Sequence, residues 1–314
     1  MIVSHDIDAA VARLREGRLI VMPTETVYGL AGDACSDEAV AQIFALKGRP
    51  SFNPLIVHVR DVSVAAAYVQ WNDLAARLAG AFWPGPLTLV LPRQEHCPIS
   101  YLASAGGDTL AIRVPAHPVA QAVLEAFGGG IAAPSANRSG KISPTMVAHV
   151  QFEFPDRDLL ILEGGACDVG IESTVVDCAS GDGAVILRPG SITQEMITAQ
   201  GIDVCEAAAH SGDFKSPGML ASHYAPNLAV RLNVDQVQPD EALLAFGDSP
   251  VAGAAKTLNL SESYDLVQAA GRLFAYLREL DQPSFSRIAV MPIPMEGLGV
   301  AINDRLRRAA AERS

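Results

Sequence analysis

An α/β fold in two unequal domains is predicted by three features of the chain. Short apolar runs of strand length alternate with stretches whose apolar residues recur at helical spacing, the pattern of a sheet covered by helices. The 314 residues exceed the about 100 to 200 that one domain usually holds. The periodicity lapses once, between Glu206 and Pro226, where Gly212, Pro217, Gly218 and Pro226 accumulate and read as a linker.

The elements follow in order. Asp6 is placed to cap a helix in which Ile7, Ala10, Val11 and Leu14 share a face, with Gly17 at its stop. A strand over 19–22 comes next, then a helix opened by Ser36, carrying Val40, Ile43, Phe44 and Lys47 and stopped by Gly48. Strands are predicted over 55–59, 87–91, 110–114, 159–162, 174–178 and 185–187, with a helix over Pro118–Phe127 among them. The connection from 178 to 185 is too short for a helical crossover and predicts a hairpin, so the sheet is expected to be mixed. Beyond the linker, strands over 228–232, 242–246 and 288–291 flank a helix over 263–280, a smaller Rossmann-like α/β domain. The predicted boundaries are a first domain over 1–205, a linker over 206–227 and a second domain over 228–314.

Composition narrows the function. Nearly half of the residues are apolar (49%) and 18% are charged, enough to build substantial cores. The net charge of −12 and the lack of any basic stretch exclude a phosphate-tracking surface, so stable nucleic-acid binding is not expected, although a few arginines converging in one pocket remain compatible. The five cysteines are scattered without a CxxC pair and are expected to be buried reduced thiols. An N-terminus bearing Asp6, Asp8, Arg13, Arg15 and Glu16, with no later apolar run of spanning length, predicts a cytoplasmic protein without a membrane segment.

Neither GxxxxGK[ST] nor GxGxxG occurs, so a nucleotide site would have to be built otherwise. Polar clusters at strand ends and in Gly/Pro turns offer the material. Pro23-Thr24-Glu25-Thr26-Val27-Tyr28-Gly29-Leu30 places two hydroxyls, a carboxylate and a phenol where a small amino acid could be held, or equally forms a capped turn. Lys47-Gly48-Arg49-Pro50, with Asn53 and then His58 in the next strand, sets two cations at a helix end, for phosphate or for the helix dipole. Alternation puts Thr109, Ala111 and Arg113 on one strand face, so Arg113 has either a buried carboxylate partner or an anionic ligand. Ala132-Ala133-Pro134-Ser135-Ala136-Asn137-Arg138-Ser139-Gly140 allows close backbone approach, and Ser143-Pro144 beyond it also suits a helix start. Glu172-Ser173-Thr174 and Arg188-Pro189-Gly190 close the series.

Taken together, PTETVYGL, KGRPSFNPL, FWPGPLTLVL, AIRVP, APSANRSG and ESTVVD resemble, in the same order, the YrdC/Sua5 family, and SPGM with HYAP at 216–219 and 223–226 resembles the linker of its longer Sua5 branch. The resemblance implies a large, twisted, mixed-sheet YrdC-like domain with a cationic cavity, a linker folding over its mouth and a smaller second domain. It implies a nucleotidyltransferase that joins L-threonine, bicarbonate and ATP into L-threonylcarbamoyl-AMP, releasing pyrophosphate. A separate transferase would then use the product at tRNA position 37. By motif match, Thr26, His58, Arg113 and Ser173 would contact threonine, and Arg49, Asn53, Thr109, Ser135, Ser143, Arg188 and Tyr224 would hold ATP. Lys47 and Arg49 would neutralise charge during catalysis. Mg2+ would accompany ATP, with no tightly bound organic cofactor. The motif carries Ala133 where some relatives have threonine. Two other readings stand beside this one: an RNA-binding module of the same pathway, and a carbamoyl-adenylating enzyme, whose relatives usually carry further domains.

Overall fold

The structure, a computed structural model, describes residues 1–179, 183–205 and 223–311. In the larger part, β1 (Ile2–Ser4), α1 (Ile7–Arg15), β2 (Ile20–Met22), β3 (Gly29–Asp33), α2 (Asp37–Lys47) and β4 (Ile56–His58) come first. They are followed by α3 (Val62–Tyr68), α4 (Asp73–Phe82), β5 (Leu87–Pro92), β6 (Thr109–Arg113), α5 (Pro118–Phe127), β7 (Ile131–Ala132) and α6 (Val147–Glu153). Then come β8 (Leu160–Leu162), β9 (Thr174–Asp177), β10 (Ala184–Arg188), α7 (Gln194–Ala199) and β11 (Val204–Cys205). The smaller part holds β12 (Val230–Arg231), β13 (Ala242–Ala245), β14 (Lys256–Asn259), α8 (Leu266–Leu280), β15 (Ile288–Val290) and α9 (Leu298–Ala310).

Among the described residues the large sheet has the order β1-β8-β2-β3-β7-β4-β6-β5-β9-β10-β11. It is mixed: β4 runs parallel to β6, β5 parallel to β9, and β9 and β10 form the expected antiparallel pair. The smaller sheet, β12-β15-β13-β14, is parallel throughout, with α8 and α9 packed together beside it.

Local chemistry sets the element ends. Asp6 and Ser36 each accept a backbone N–H of the first turn, from Ala9 and Ala39, and Asp265 caps α8 in the same way. Gly48 ends α2 with a φ of +60°, a left-handed stop natural to glycine, and this reverses the chain between Lys47 and Arg49.

Three expectations are corrected. Strands β1, β3, β7, β11 and β14 and helices α3, α4, α7 and α9 are not among the predicted elements; β3 and β7 sit inside segments rich in glycine and alanine, which carry little strand signal. Helix α6 begins at Val147 with Met146 as an uncapped N-cap, so Ser143-Pro144 does not start it; the Ser143 hydroxyl is drawn instead to Glu172. All five cysteines are free, but only Cys167 and Cys178 are buried; Cys97 is half-buried, and Cys35 and Cys205 are exposed. Most of the expected linker, 206–222 with its SPGM motif, lies outside the described residues, as do residues 180–182 of the hairpin turn. No helix among the described residues is long and apolar enough to cross a membrane.

The two parts share a core. Val27, Ile142 and Ile171 of the larger part, together with Tyr224, belong to the same apolar cluster as Leu273, Phe274 and Ile302 of α8 and α9. Gly170 has a φ of +71°, and a Cβ there would lie 2.5 Å from the Cα of Gly271 in α8, so loop and helix touch backbone to backbone. Removing this much apolar surface from water makes the docking part of folding rather than a loose association.

Candidate active site

Sheet register builds one wall. In the parallel β4–β6 pair, His58 lies opposite Arg113 at the strand ends, both nearly fully buried. The turn between β2 and β3 brings Thr26 and Glu25 to Arg113. Its Nη1 donates to Thr26 Oγ1 (3.0 Å), its Nη2 to Glu25 Oε1 (2.5 Å), and its Nε to the Gly85 carbonyl (3.1 Å). Arg113 therefore already has a carboxylate partner within the chain, and it still lines the cavity. Burial alone would raise the Glu25 pKa, but the Arg113 charge and hydrogen bond outweigh it and hold the carboxyl below the usual range.

The opposite wall is cationic. Arg49, turned inward after Gly48, donates from Nε to the Asn53 carbonyl (3.1 Å) and from Nη2 to the Pro54 carbonyl (2.8 Å). Arg188, at the end of β10, donates from Nε and Nη2 to the Ser173 carbonyl and from Nη2 to the Ser173 hydroxyl. Burial, followed by the like charge of Arg188, lowers the Arg49 pKa to about 9. Burial likewise lowers Arg188, and burial together with Arg49 lowers Lys47 well below its ordinary value. Cations held together out of water, with Arg188 depressing Arg49 and Arg49 depressing Lys47, form a site in which an anion is strongly stabilised.

One cavity joins these walls. It is lined by Thr24, Thr26, Arg49, His58, Arg113, Ala133, Ser135, Glu172, Ser173, Arg188, His223 and Tyr224, with Val27, Gly29, Ile56 and Pro134 between them. Of the residues singled out from the sequence, Thr26, Arg49, His58, Arg113, Ser135, Ser173, Arg188 and Tyr224 are thus brought together. Four others stand back from the lining. Lys47 is buried beneath it, with Nζ donating to the Ser135 and Asn137 carbonyls, so it braces the APSANRSG loop instead of serving the helix dipole. Ser143 donates to Glu172 Oε1, just behind the wall. Asn53 is buried under Arg49, and neither atom of its side-chain amide has a hydrogen-bond partner among the described residues. Thr109 starts β6, about 13 Å along the strand from Arg113 at 3.3 Å per residue.

Among the described residues, buried polar atoms without a hydrogen-bond partner gather here. Glu25 Oε2, His58 Nδ1, His223 Nδ1 and Arg305 Nη2 join the Asn53 amide, and such atoms are costly to leave in a native interior unless a ligand or water meets them. Tyr224 adds backbone strain: its φ is +62°, unusual for a bulky residue and typical of functional positions. It stacks on Phe274 of α8 with ring centroids 5.4 Å apart and meets His223 edge-on at 4.1 Å. Among the described residues no group of three or more His, Cys, Asp or Glu could hold a metal ion. A wider groove between α6 and α8 contains none of the predicted site residues.

Known families match both parts. The model described as telomere recombination, covering Sua5, YciO and YrdC proteins, matches residues 12–190. The model described as threonylcarbamoyl-AMP synthase, C-terminal domain, matches residues 192–311. The chain belongs to the YrdC/Sua5 family. It is 39% identical to the threonylcarbamoyl-AMP synthase of Bacillus subtilis, spanning 97% of this chain and 92% of that one. It is 38% identical to that of Pyrococcus abyssi, over 96% and 92%. The crystal structure of P. abyssi Sua5 complexed with L-threonine superposes with a TM-score of 0.87 at 34% identity, covering 98% of this chain and 96% of that one.

For this member of the family, sequence reasoning left several cavity residues without a role. Glu172 and His223 lay inside motifs that had been singled out, and Thr24 and Glu25 inside PTETVYGL, but nothing in their spacing said what they would face. Arg305 went unremarked. The usable signal was its position on the apolar face of α9, in step with Ile302, Leu306 and Ala309, where a charged residue needs a partner.

Proposed function

We propose that this chain synthesises L-threonylcarbamoyl-AMP from L-threonine, bicarbonate and ATP, for threonylcarbamoylation of adenosine 37 in tRNA. The observation that carries this reading is the convergence of Arg49, Arg113 and Arg188, from three separate segments, on one buried cavity that also presents Thr26, Ser173 and Ser135. Synthases with this name in B. subtilis and P. abyssi match nearly the whole chain, and a relative of this fold holds L-threonine.

In this reading the Arg113 end receives threonine. The amino acid's carboxylate joins Glu25 on the Arg113 guanidinium, and its hydroxyl and amine fall among Thr26, His58 and Ser173. Burial, then the Arg113 charge, hold the His58 pKa near 3, so its imidazole is neutral at working pH and does not compete for the carboxylate. Arg49, Arg188, Ser135 and Tyr224 receive the nucleotide, with Asn53 and Ser143 behind them and Lys47 supporting the phosphate-facing loop; Thr109, at the far end of β6, takes no part in this arrangement. Mg2+ arrives as part of the ATP chelate, its coordination supplied largely by phosphate oxygens and water.

The reaction balances without a protein nucleophile. The threonine amine and bicarbonate give the carbamate and water. A carbamate oxygen then attacks the α-phosphorus, the bond to the bridging oxygen breaks, and pyrophosphate leaves with that electron pair. The protein contributes alignment and charge neutralisation, and ideal alignment alone is worth about 7 to 11 kcal/mol. The product is a reactive mixed anhydride, which in this reading passes to a separate transferase in the cytoplasm. The test is incorporation of labelled bicarbonate into an adduct containing both threonine and AMP. Its formation supports the proposal; ATP cleavage without such an adduct refutes it.

A further inference from the structure

The loop that carries Ser135 to the cavity is gripped from two sides. On the inner side Lys47 Nζ donates to the Ser135 and Asn137 carbonyls, and the Lys47 carbonyl accepts the Ser139 N–H (2.8 Å). On the outer side the Arg138 N–H donates to Glu153 Oε2 (3.1 Å), and Glu153 Oε1 accepts from Arg278 Nη2 (2.9 Å). Arg278 belongs to the last turn of α8, in the second domain, and the same Nη2 also donates to the Ile142 carbonyl, one residue before Ser143. One guanidinium nitrogen therefore holds the 138–142 segment at both ends, directly at Ile142 and through Glu153 at Arg138.

Glu153 is an unfavourable place for an acid. It is the last residue of α6, where the helix dipole opposes negative charge, and it is buried. The Arg278 side chain is buried beside it, 11% exposed. A buried ion pair adds little stability over apolar side chains of like size, whereas its hydrogen bonds point in set directions.

We infer that Arg278 is a positioning residue for nucleotide binding: through Glu153 and Ile142 it sets the path of the loop bearing Ser135, so that the second domain shapes the nucleotide end of the cavity. This rests on the nucleotide reading given above. Lys47 on one side alone would let the loop tilt, and the outer grip opposes that tilt. The middle of the same segment is tied to the chain beyond the linker as well, with the Ala225 N–H donating to the Gly140 carbonyl (2.8 Å) and Lys141 Nζ to Asn227 Oδ1 (2.8 Å).

The measurement is the KM for ATP and for threonine, by pyrophosphate release, with thermal melts, in wild type, Arg278→Met, Arg278→Lys, Glu153→Gln and the exposed control Arg307→Ala. Methionine keeps the apolar stem and removes both bonds. Because both bonds leave from a single nitrogen, a lysine ammonium can remake them, unlike the forked grip of Arg49. A merely structural role would lower the melting temperature and leave the two KM values unmoved, or move them together.

Arg278→Met should raise the ATP KM about tenfold, with the threonine KM within about threefold of wild type, because Ser135 is displaced and Arg113 is not. Arg278→Lys should return the ATP KM to within about threefold of wild type, and Arg307→Ala should match wild type. A folded Arg278→Met with an unaltered ATP KM, or with both KM values raised alike, overturns the inference, as does a lysine variant no better than the methionine one. If Arg278→Met gives no cooperative melt, Glu153→Gln decides: an ATP KM raised about threefold or more at a steady threonine KM supports the inference, and a smaller change overturns it. Wild type lacking threonine-dependent turnover would instead sink the underlying function.

Discussion

Arg49 and Arg188 face the same cavity from opposite ends of the chain's larger part, both buried, and the charge of Arg188 is the main electrostatic influence lowering the Arg49 pKa. Like charges kept this close without water raise the energy of the empty site, and a polyanion relieves it.

Replacing either arginine by alanine should lower the rate of pyrophosphate release by about 10²- to 10³-fold, the range seen when a transition-state charge stabiliser is removed. Arg49→Lys should recover little. The guanidinium fork holds the Asn53 and Pro54 carbonyls at once, and an ammonium cannot reproduce that geometry. Steady-state kinetics on each variant check this.

At the other end, Arg113→Lys should raise the KM for threonine far more than that for ATP, since it breaks contacts to Thr26, Glu25 and Gly85 together. Thr26→Ala removes one hydroxyl and should raise the threonine KM only about five- to tenfold, in line with about 1 kcal/mol for a single hydrogen bond. Isothermal titration with threonine alone would separate binding from turnover.

Acid should destabilise the fold before the carboxylates titrate. Burial lowers the pKa of His58 and of His223 to about 3, and that of His149 to about 4, from an ordinary 6.5. A depressed folded pKa means that the unfolded chain binds more protons between the two values, so stability is complete above about 6.5 and falls as the pH drops. Glu25 and Glu172, also depressed, add to the loss only below about 4.5. Melting temperature should thus decline between pH 6.5 and 4.5, and His58→Gln should flatten that slope; an unchanged slope contradicts the account.

Docking of the second domain should depend on glycine. Gly170→Ala forces a left-handed backbone onto alanine and drives its Cβ into Gly271, so a loss of about 1 to 3 kcal/mol is expected. Because Phe274 and Arg305 hold Tyr224, the same variant should also weaken ATP binding. Chemical denaturation paired with the ATP KM tests both effects.

Much of this was legible before any coordinates. The caps at Asp6 and Ser36, the stop at Gly48 and the burial of Arg113 follow from local rules that act over a few residues. What was not legible depends on distant partners. The sequence left Arg113 open between a carboxylate of the chain and a ligand, and the structure puts Glu25 on it while keeping it at the cavity. Ser143 was equally suited to start a helix, and only the placement of Glu172 drew it inward. Arg305 meets Glu172 and Pro189, more than a hundred residues away, only through the docking of the two parts, which no periodicity could orient.

The most direct test of the central claim is pyrophosphate release measured with ATP present and threonine or bicarbonate left out in turn. The account predicts that either omission abolishes turnover and that restoring both recovers it, because the attacking oxygen is made from the two together. ATP cleavage that continues at full rate without threonine would contradict it.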